Sequence, residues 1–300
     1  MNLSNPKIQE FINKQHLTGI SSHTLESIIE QKPGYSIEKG QRFINFYSRI
    51  KLELLQHSVI CENKYTSWFS LGGMTREQLK YFVIQFSVFS NLFLIAQLLK
   101  TINADSLESM RASKQILVNE LGVIYRSNHQ STDNNPLDSC DGTVEGGSYH
   151  FGAAHFEWLL QLAKSIGLEF NDIGKRRHGA KSTLFFCDEL NRLYANEDYV
   201  ISQASSFAVE NWAAAGFWKE LIAGFTEYEK KSKQDVPLFF FTRHDEIEAQ
   251  HAKHTLNELE DMYFCEEINE DVFISSGNEM LDAVNVFWNG LNEARLSGMQ

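Results

Sequence analysis

Residues 239–251 read FFFTRHDEIEAQH, and this stretch holds the most informative pattern in the chain. His244, Glu248 and His251 follow one another at spacings of four and three residues. At about 100° per residue, they fall within roughly 60° of one helix face. Imidazole and carboxylate together suit iron, manganese or zinc, and Glu-x-x-His on a helix is the ligand unit of dinuclear carboxylate sites in helix bundles. The alternative is a solvated stripe, because the neighbouring residues are also polar.

Two glutamates elsewhere lie on helix faces where a solvated carboxylate is not expected. Glu120 has Ile116 and Val123 one turn away on either side, and Glu210 has Phe207 and Ala213 in the same positions. A buried carboxylate without a partner costs several kcal/mol or becomes protonated. Each glutamate therefore needs a partner, which is either an arginine or a metal ion.

His155 lies in a helical pattern that runs from about Ala153 to Ile166, with Phe151 and Trp158 on its own face. A single histidine in such a place is more often a hydrogen-bonded core residue than a ligand. The metal interpretation of His155 depends on the other candidates lying close to it in the fold.

Together these segments resemble the haem-oxygenase-like di-iron oxidases and oxygenases, which belong to the TenA/PqqC-like superfamily. This family of iron-containing redox enzymes includes the relatives of the chlamydial death-domain-associating protein and of the 1-undecene-forming fatty-acid decarboxylase. The resemblance covers residues from about 75 to 263. It is carried by ELG at 120–122, HFEWLL at 155–160, SIGL at 165–168, Glu210 and FFTRHDEIEAQH at 240–251.

The resemblance implies an O2-dependent oxidoreductase with two iron ions, which acts on a small organic acid or amine. The implied reactions are desaturation, C–C cleavage, hydroxylation or N-oxygenation. Six residues would bind the metal: Glu120, His155, Glu210, His244, Glu248 and His251. Four aromatic residues are candidates for contacting the substrate: Phe207, Phe217, Phe240 and Phe241.

The stretch 121–154 between the first glutamate and the first histidine is longer than the family usually has. His150 is therefore an alternative to His155 as the ligand.

Two other functions stay open. The first is a metal-free enzyme of the same TenA/PqqC-like fold, either a thiaminase-like hydrolase with a cysteine nucleophile or a cofactorless quinone-forming oxidase. Against the hydrolase, Cys61, Cys140, Cys187 and Cys265 show no obvious pairing with a carboxylate. The second is a helical protein-interaction module that binds its partner through the N-terminal 70 residues.

Apolar residues recur at helical spacing along almost the whole chain, which predicts an all-α protein. We expect residues 1–70 to form a helical extension packed on a haem-oxygenase-like domain of residues 71–300. Within that domain we predict one helix from Asp105 to Ser127, a polar loop at 128–150, and one helix from about Tyr199 to Lys230.

The chain has 300 residues, with 27 Lys and Arg against 39 Asp and Glu, and a formal charge of -12. This acidic balance argues against nucleic acid and anionic membranes as partners. The dispersed cysteines and the lack of a signal-peptide pattern predict a cytoplasmic protein. We expect a homodimer that binds a small molecule.

Two segments have a notable composition. Tyr81–Leu99 carries no charge over the length of a membrane span, but its polar interruptions favour a buried central helix. The seven acidic residues between Glu258 and Asp271 are expected on a solvated surface.

Overall fold

The computed structural model describes the backbone of residues 6–127, 141–144, 147–265 and 267–298. It describes the side chains of these residues except at 6–7, 108, 124–127, 141–144, 147–150 and 247–255. Helices dominate this part of the chain, which confirms the predicted all-α class.

Most of the helices follow one another with short connections, and the longest connection lies between α7 and α8. They are α1 (Pro6–Lys14), α2 (Ser22–Ile29), α3 (Ile37–Arg49), α4 (Ser58–Cys61), α5 (Lys64–Phe69), α6 (Arg76–Ile102), α7 (Leu107–Glu120), α8 (His155–Ser165), α9 (Lys181–Glu189), α10 (Tyr199–Ala213), α11 (Phe217–Ser232), α12 (Phe239–Cys265) and α13 (Glu270–Ser297). Two π-helical turns continue α3 and α9, at Ile50–Leu54 and Leu190–Tyr194, and two short 3-10 turns lie at Phe170–Asp172 and Arg176–His178.

The long helix α6 begins at a capping box. Thr75 Oγ1 accepts a hydrogen bond from the Gln78 backbone N–H (3.2 Å), and Gln78 Oε1 accepts one from the Thr75 backbone N–H (2.9 Å). In the described part of the chain, α6 is the one helix that is long and apolar enough to cross a membrane. Here it packs against α7, α8 and α9, with Phe82 and Phe86 buried in the core.

The prediction of a single helix from Tyr199 to Lys230 is wrong, because the chain turns between α10 and α11. Gly216 has φ +96°, a left-handed conformation that favours glycine. The turn lets Trp212 and Phe217 stack with their ring centroids 4.7 Å apart. α10 then packs against α12 and α13, whereas α11 packs against α5 and α12.

The predicted helix from Asp105 to Ser127 is also too long, because α7 ends at Glu120. Gly122 has φ +66°, and its N–H donates to the Asn119 carbonyl oxygen (3.0 Å), which closes the helix end. The chain continues as strand β1 (Val123–Ser127), since β-branched and aromatic residues follow the glycine.

Part of the segment predicted as a polar loop is likewise extended. Strands β2 (Asp141–Val144) and β3 (Gly147–Phe151) form an antiparallel sheet with β1, in the order β1-β3-β2. This small sheet connects α7 to α8.

The N-terminal helices pack against the C-terminal third of α12. Glu260 is buried and accepts hydrogen bonds from the backbone N–H of Ser21 (3.1 Å) and from its Oγ. Lys39 Nζ donates to the Phe264 carbonyl oxygen (2.8 Å), and Tyr35 stacks on the Phe264 ring. The expectation of a solvated surface is therefore wrong for Glu260, because Ser21 supplies its partner. The domain boundary near residue 70 stays a prediction.

We expect Gly122→Ala to lower the free energy of unfolding by about 3 kcal/mol. The left-handed backbone disfavours alanine, and the added Cβ would lie only 2.6 Å from the Gly152 carbonyl oxygen. Gly73→Ala is the matched control, because a Cβ there meets no atom within 4 Å. Urea denaturation measures both variants, and equal effects would contradict the structural role of Gly122.

Candidate metal centre

The small sheet brings two predicted ligands together. Glu120 is the last residue of α7 and His155 is the first residue of α8. The antiparallel pairing of β1 with β3 returns the chain to its point of departure. A backbone hydrogen bond from Gly152 N to Gly122 O (2.8 Å) joins the two ends of the segment between α7 and α8. The long stretch between the two ligands in sequence therefore does not separate them in space.

Glu120 Oε2 lies 2.9 Å from His155 Nδ1, and both side chains are largely buried. The contact does not have hydrogen-bond geometry, and His155 Nδ1 is a buried polar atom without a hydrogen-bond partner among the described residues. Leaving such an atom unsatisfied costs free energy. This arrangement is expected where the two side chains share a third partner.

His244 completes the cluster from α12. One ligand atom from each of Glu120, His155 and His244 lies within 4.8 Å of the other two. His244 Nδ1 donates to the Phe240 carbonyl oxygen (2.6 Å), because a carbonyl only accepts, and this leaves the ring lone pair on Nε2. The ring also stacks on Trp218, with centroids 4.9 Å apart. An imidazole anchored through one nitrogen is typical of a metal ligand.

These residues fit a metal ion. Two imidazoles and one carboxylate form a donor set that suits iron, manganese or zinc. Ligands that bind one ion at about 2.1 Å lie roughly 3–4 Å apart, so the observed spacing requires only small side-chain movements. A metal ion would also supply the partner that His155 Nδ1 lacks.

A cavity of about 470 Å³ lies beside the cluster. Glu120, His155 and His244 line it, and so does Glu210 from α10, so four of the six predicted ligands border one space. Eight aromatic residues also line it: Phe86, Phe89, Phe93, Trp158, Trp212, Trp218, Phe239 and Phe240. Such a wall keeps water away and strengthens electrostatic interactions inside the cavity.

The architecture is shared with solved structures. A protein of unknown function from Shewanella denitrificans, described as having a heme oxygenase-like fold, is 14% identical to this chain. Its TM-score is 0.56, and the match covers 81% of this chain and 89% of that one. This chain has the haem-oxygenase-like fold.

Two further structures with this fold are similar. A CADD-like protein of unknown function from Nostoc punctiforme is 15% identical, with a TM-score of 0.55, and 86% of this chain and 98% of that chain are covered. A TenA homolog from Pseudomonas syringae pv. tomato is 9% identical, with a TM-score of 0.54 and coverage of 85% and 93%. No family model and no curated protein matches the sequence. The predicted haem-oxygenase-like fold is confirmed.

Two of the six predicted ligands have side chains outside the described residues. Glu248 and His251 occupy backbone positions four and seven residues after His244 on α12. His150 lies on β3, opposite Ile124 of β1, and its side chain is also outside the described part. The roles of these three residues as ligands stay predictions.

Of the four aromatic residues predicted to contact the substrate, Phe240 lines the cavity beside the metal cluster. The structure places Phe207, Phe217 and Phe241 in the core instead, outside the described cavity wall. Helical periodicity identifies buried residues, but it does not tell which buried face meets a cavity.

Several residues of the cavity wall were not predicted from the sequence. Phe86, Phe89 and Phe93 of α6 are spaced three and four residues apart, and this spacing was an available signal of a shared face. Phe239 and Arg243, which lie in the same stretch of α12 as His244, also line the cavity.

A second cavity of about 620 Å³ lies at the C-terminal end of α6, and Ile116 lines both cavities. The stem of Lys100 lines this second cavity, but its Nζ is inaccessible to solvent, lacks a hydrogen-bond partner in the described chain and lies 4.3 Å above the Tyr194 ring. Burial lowers the pKa of Lys100 to about 8, and the carboxylates of Glu258 and Glu210 oppose this shift. Lys100 thus couples electrostatically to both cavities.

Lys100→Met tests this buried cation through the pH dependence of stability. The pKa is about 8 in the folded chain and 10.5 ordinarily, so the unfolded chain binds more protons between these two values. Relative to Lys100→Met, the wild type should therefore gain about 3 kcal/mol of unfolding free energy as the pH rises from 8 to 10.5. Chemical denaturation of metal-free protein measures the difference.

Lys219→Met is the control, because Lys219 is exposed on α11. It should show no comparable change with pH. If the difference in unfolding free energy between wild type and Lys100→Met stays constant from pH 8 to 10.5, the burial of the ammonium group is contradicted.

Proposed function

We propose that this protein is an O2-dependent non-haem di-iron oxidase or oxygenase that acts on a small organic acid or amine. The observation that carries the proposal is the convergence of Glu120, His155 and His244 beside an aromatic cavity. The haem-oxygenase-like fold supports it, because the sequence resemblance implies di-iron chemistry on this fold. Glu210 supports the larger ligand set, since it lines the same cavity.

The proposed ligand set contains three carboxylates and three imidazoles. They would balance most of the charge of two Fe(II) ions. When bound, the iron pair would supply the activation of O2 for attack on a C–H or N–H bond. The six residues are Glu120, His155, Glu210, His244, Glu248 and His251.

The chain itself contributes orientation, exclusion of water and balance of charge. The Phe240 carbonyl holds the proton of His244 on Nδ1, which keeps Nε2 as the ligand atom. Trp218 restricts rotation of the same ring by stacking on it. The ammonium group of Lys100 offsets part of the negative charge of Glu210. A cavity of about 470 Å³ is suited to a small molecule rather than to a polymer.

Anaerobic titration with Fe(II) tests the metal centre directly. We expect the wild type to bind two iron ions per chain, and His244→Ala and Glu120→Gln to bind fewer than one. The reason is that each substitution removes a ligand from the three-residue cluster. His178→Ala is the matched control, because the His178 ring lies 2.8 Å from the Asn171 carbonyl oxygen in the 3-10 turn region and His178 is not part of the described cavity wall.

Rapid mixing of the iron-loaded protein with O2 provides a second readout. A transient visible absorption in the wild type and in His178→Ala, but not in His244→Ala, is the expected result. Binding of less than one iron per wild-type chain would rule out the di-iron proposal.

A metal-free enzyme of the same fold is the second candidate, because one similar structure is a TenA homolog. The described thiols do not favour nucleophilic chemistry at the cavity. Burial raises the pKa of the Cys187 thiol to about 12, whereas a nucleophile must be a thiolate. Cys61 and Cys265 are exposed and do not line the metal cavity, and Cys140 is outside the described residues. Turnover that persists in the presence of a strong chelator would favour this candidate.

We also propose that the protein is cytoplasmic and forms a homodimer, and that it acts on a small molecule rather than on nucleic acid or a membrane. The net charge of -12 supports the exclusion of polyanionic partners. A helical interaction module is the third candidate. Against it, Ser21 and Lys39 of the N-terminal region bind α12 within the chain itself.

A further inference from the structure

The cavity beside the metal cluster has an apolar interior and a charged rim. Phe86 and Trp212, which line its inner part, are 1% and 2% exposed. Phe239 is 52% exposed and the Arg243 side chain 49% exposed, and both residues also line the cavity. The space therefore runs from a rim at the start of α12 to a closed aromatic interior.

Arg243 is the one cationic side chain that lines this cavity in the described part of the chain. Its ion pair with Glu246, one turn further along α12, is long at 3.4 Å and solvent-exposed, so it contributes little and is readily replaced. The Glu120 carboxylate is in contact with His155. The guanidinium group is therefore available to a ligand in the cavity.

The guanidinium group of Arg243 determines which chemical group of a substrate can bind at the rim. A guanidinium group presents a planar pair of donors that matches a carboxylate, whereas it repels an ammonium group. The aromatic interior favours a hydrocarbon body, since burying apolar surface there removes it from water.

We propose that Arg243 makes this cavity specific for apolar carboxylic acids, with the carboxylate held at the rim and the hydrocarbon body inside. This assignment names the substrate class of the function proposed above. The reaction of the bound acid depends on the function proposed above, but its binding does not, because binding to Arg243 requires no metal.

Three probes share one hydrocarbon body and differ in their head group, so they separate the contribution of the carboxylate to binding from that of the hydrocarbon. They are 3-phenylpropanoate, 3-phenylpropanol and 3-phenylpropylamine. Binding to the metal-free full-length protein, with EDTA present, is followed by quenching of tryptophan fluorescence. Trp158, Trp212 and Trp218 line the cavity and report on its occupancy. We expect the acid to bind about 10-fold more tightly than the alcohol, from one charge-assisted bidentate interaction, and the amine to bind more weakly than both.

Arg243→Gln should weaken binding of the acid about 10-fold, to the level of the alcohol, and leave binding of the alcohol unchanged. Unchanged binding of the alcohol also shows that the variant is folded. Arg111→Gln is the control, because Arg111 is exposed on α7 and is not part of the described cavity wall. The proposal is overturned if the acid fails to bind, if acid and alcohol bind equally to the wild type, or if Arg243→Gln weakens all three probes alike.

The direction of binding is tested with 3-(4-bromophenyl)propanoate, whose heavy atom lies at the end remote from the carboxylate. Trp212 is in the interior, whereas Trp158 packs against Phe239 of the rim, with centroids 4.7 Å apart. The additional quenching by bromine should be lost in Trp212→Phe and kept in Trp158→Phe. The reverse result would place the carboxylate inside and overturn the assignment. Because every arm uses metal-free protein, failure to bind iron would count against the metal centre alone.

Discussion

The approach of Glu120 to His155 is the constraint on which the rest of the candidate site depends. The two atoms lie 2.9 Å apart, although a long segment of chain separates the two residues. The contact exists because Gly122 ends α7 in a left-handed conformation and because β3 returns alongside β1. Gly152 then bonds to Gly122 and fixes the start of α8. If this closure were lost, His244 would face one partner instead of two, and the cluster would no longer have the spacing of a metal site.

Helix α12 joins this cluster to the N-terminal part of the chain. His244 lies in its first two turns, beside the cavity, and Glu260 and Phe264 lie near its other end. The buried Glu260 carboxylate and the carbonyl oxygen of Phe264 are bound by Ser21 and Lys39. A helix is stiff over such lengths, so contacts at one end restrict how the other end is placed. The N-terminal helices therefore position the helix on which three of the six predicted ligands stand.

Aromatic packing and buried charge work together around the cavity. Rings from α6, α8, α10, α11 and α12 form its wall and lower the local dielectric constant. In such surroundings the attraction between Glu210 and Lys100 is stronger than it would be in water. The same surroundings make an unpaired polar atom costly, which is why the orphaned Nδ1 of His155 is informative. At the rim, where the dielectric constant is higher, Arg243 stays hydrated and free to exchange its surface partner.

The sequence by itself determined the helical class, the capping box that starts α6 and the haem-oxygenase-like fold, because helical periodicity, caps and ligand spacings are local patterns. It also identified Glu120, His155 and His244 as candidates, since each is a ligand type in an apolar or helical context. Only the tertiary structure decided that these three meet, that the segment after Gly122 is a strand, and that Glu260 is buried. These outcomes depend on pairing and packing between residues far apart in the chain, and such contacts leave no periodic signal in the sequence. For the same reason, periodicity showed which phenylalanines are buried, while the packing of whole helices decided which of them line a cavity.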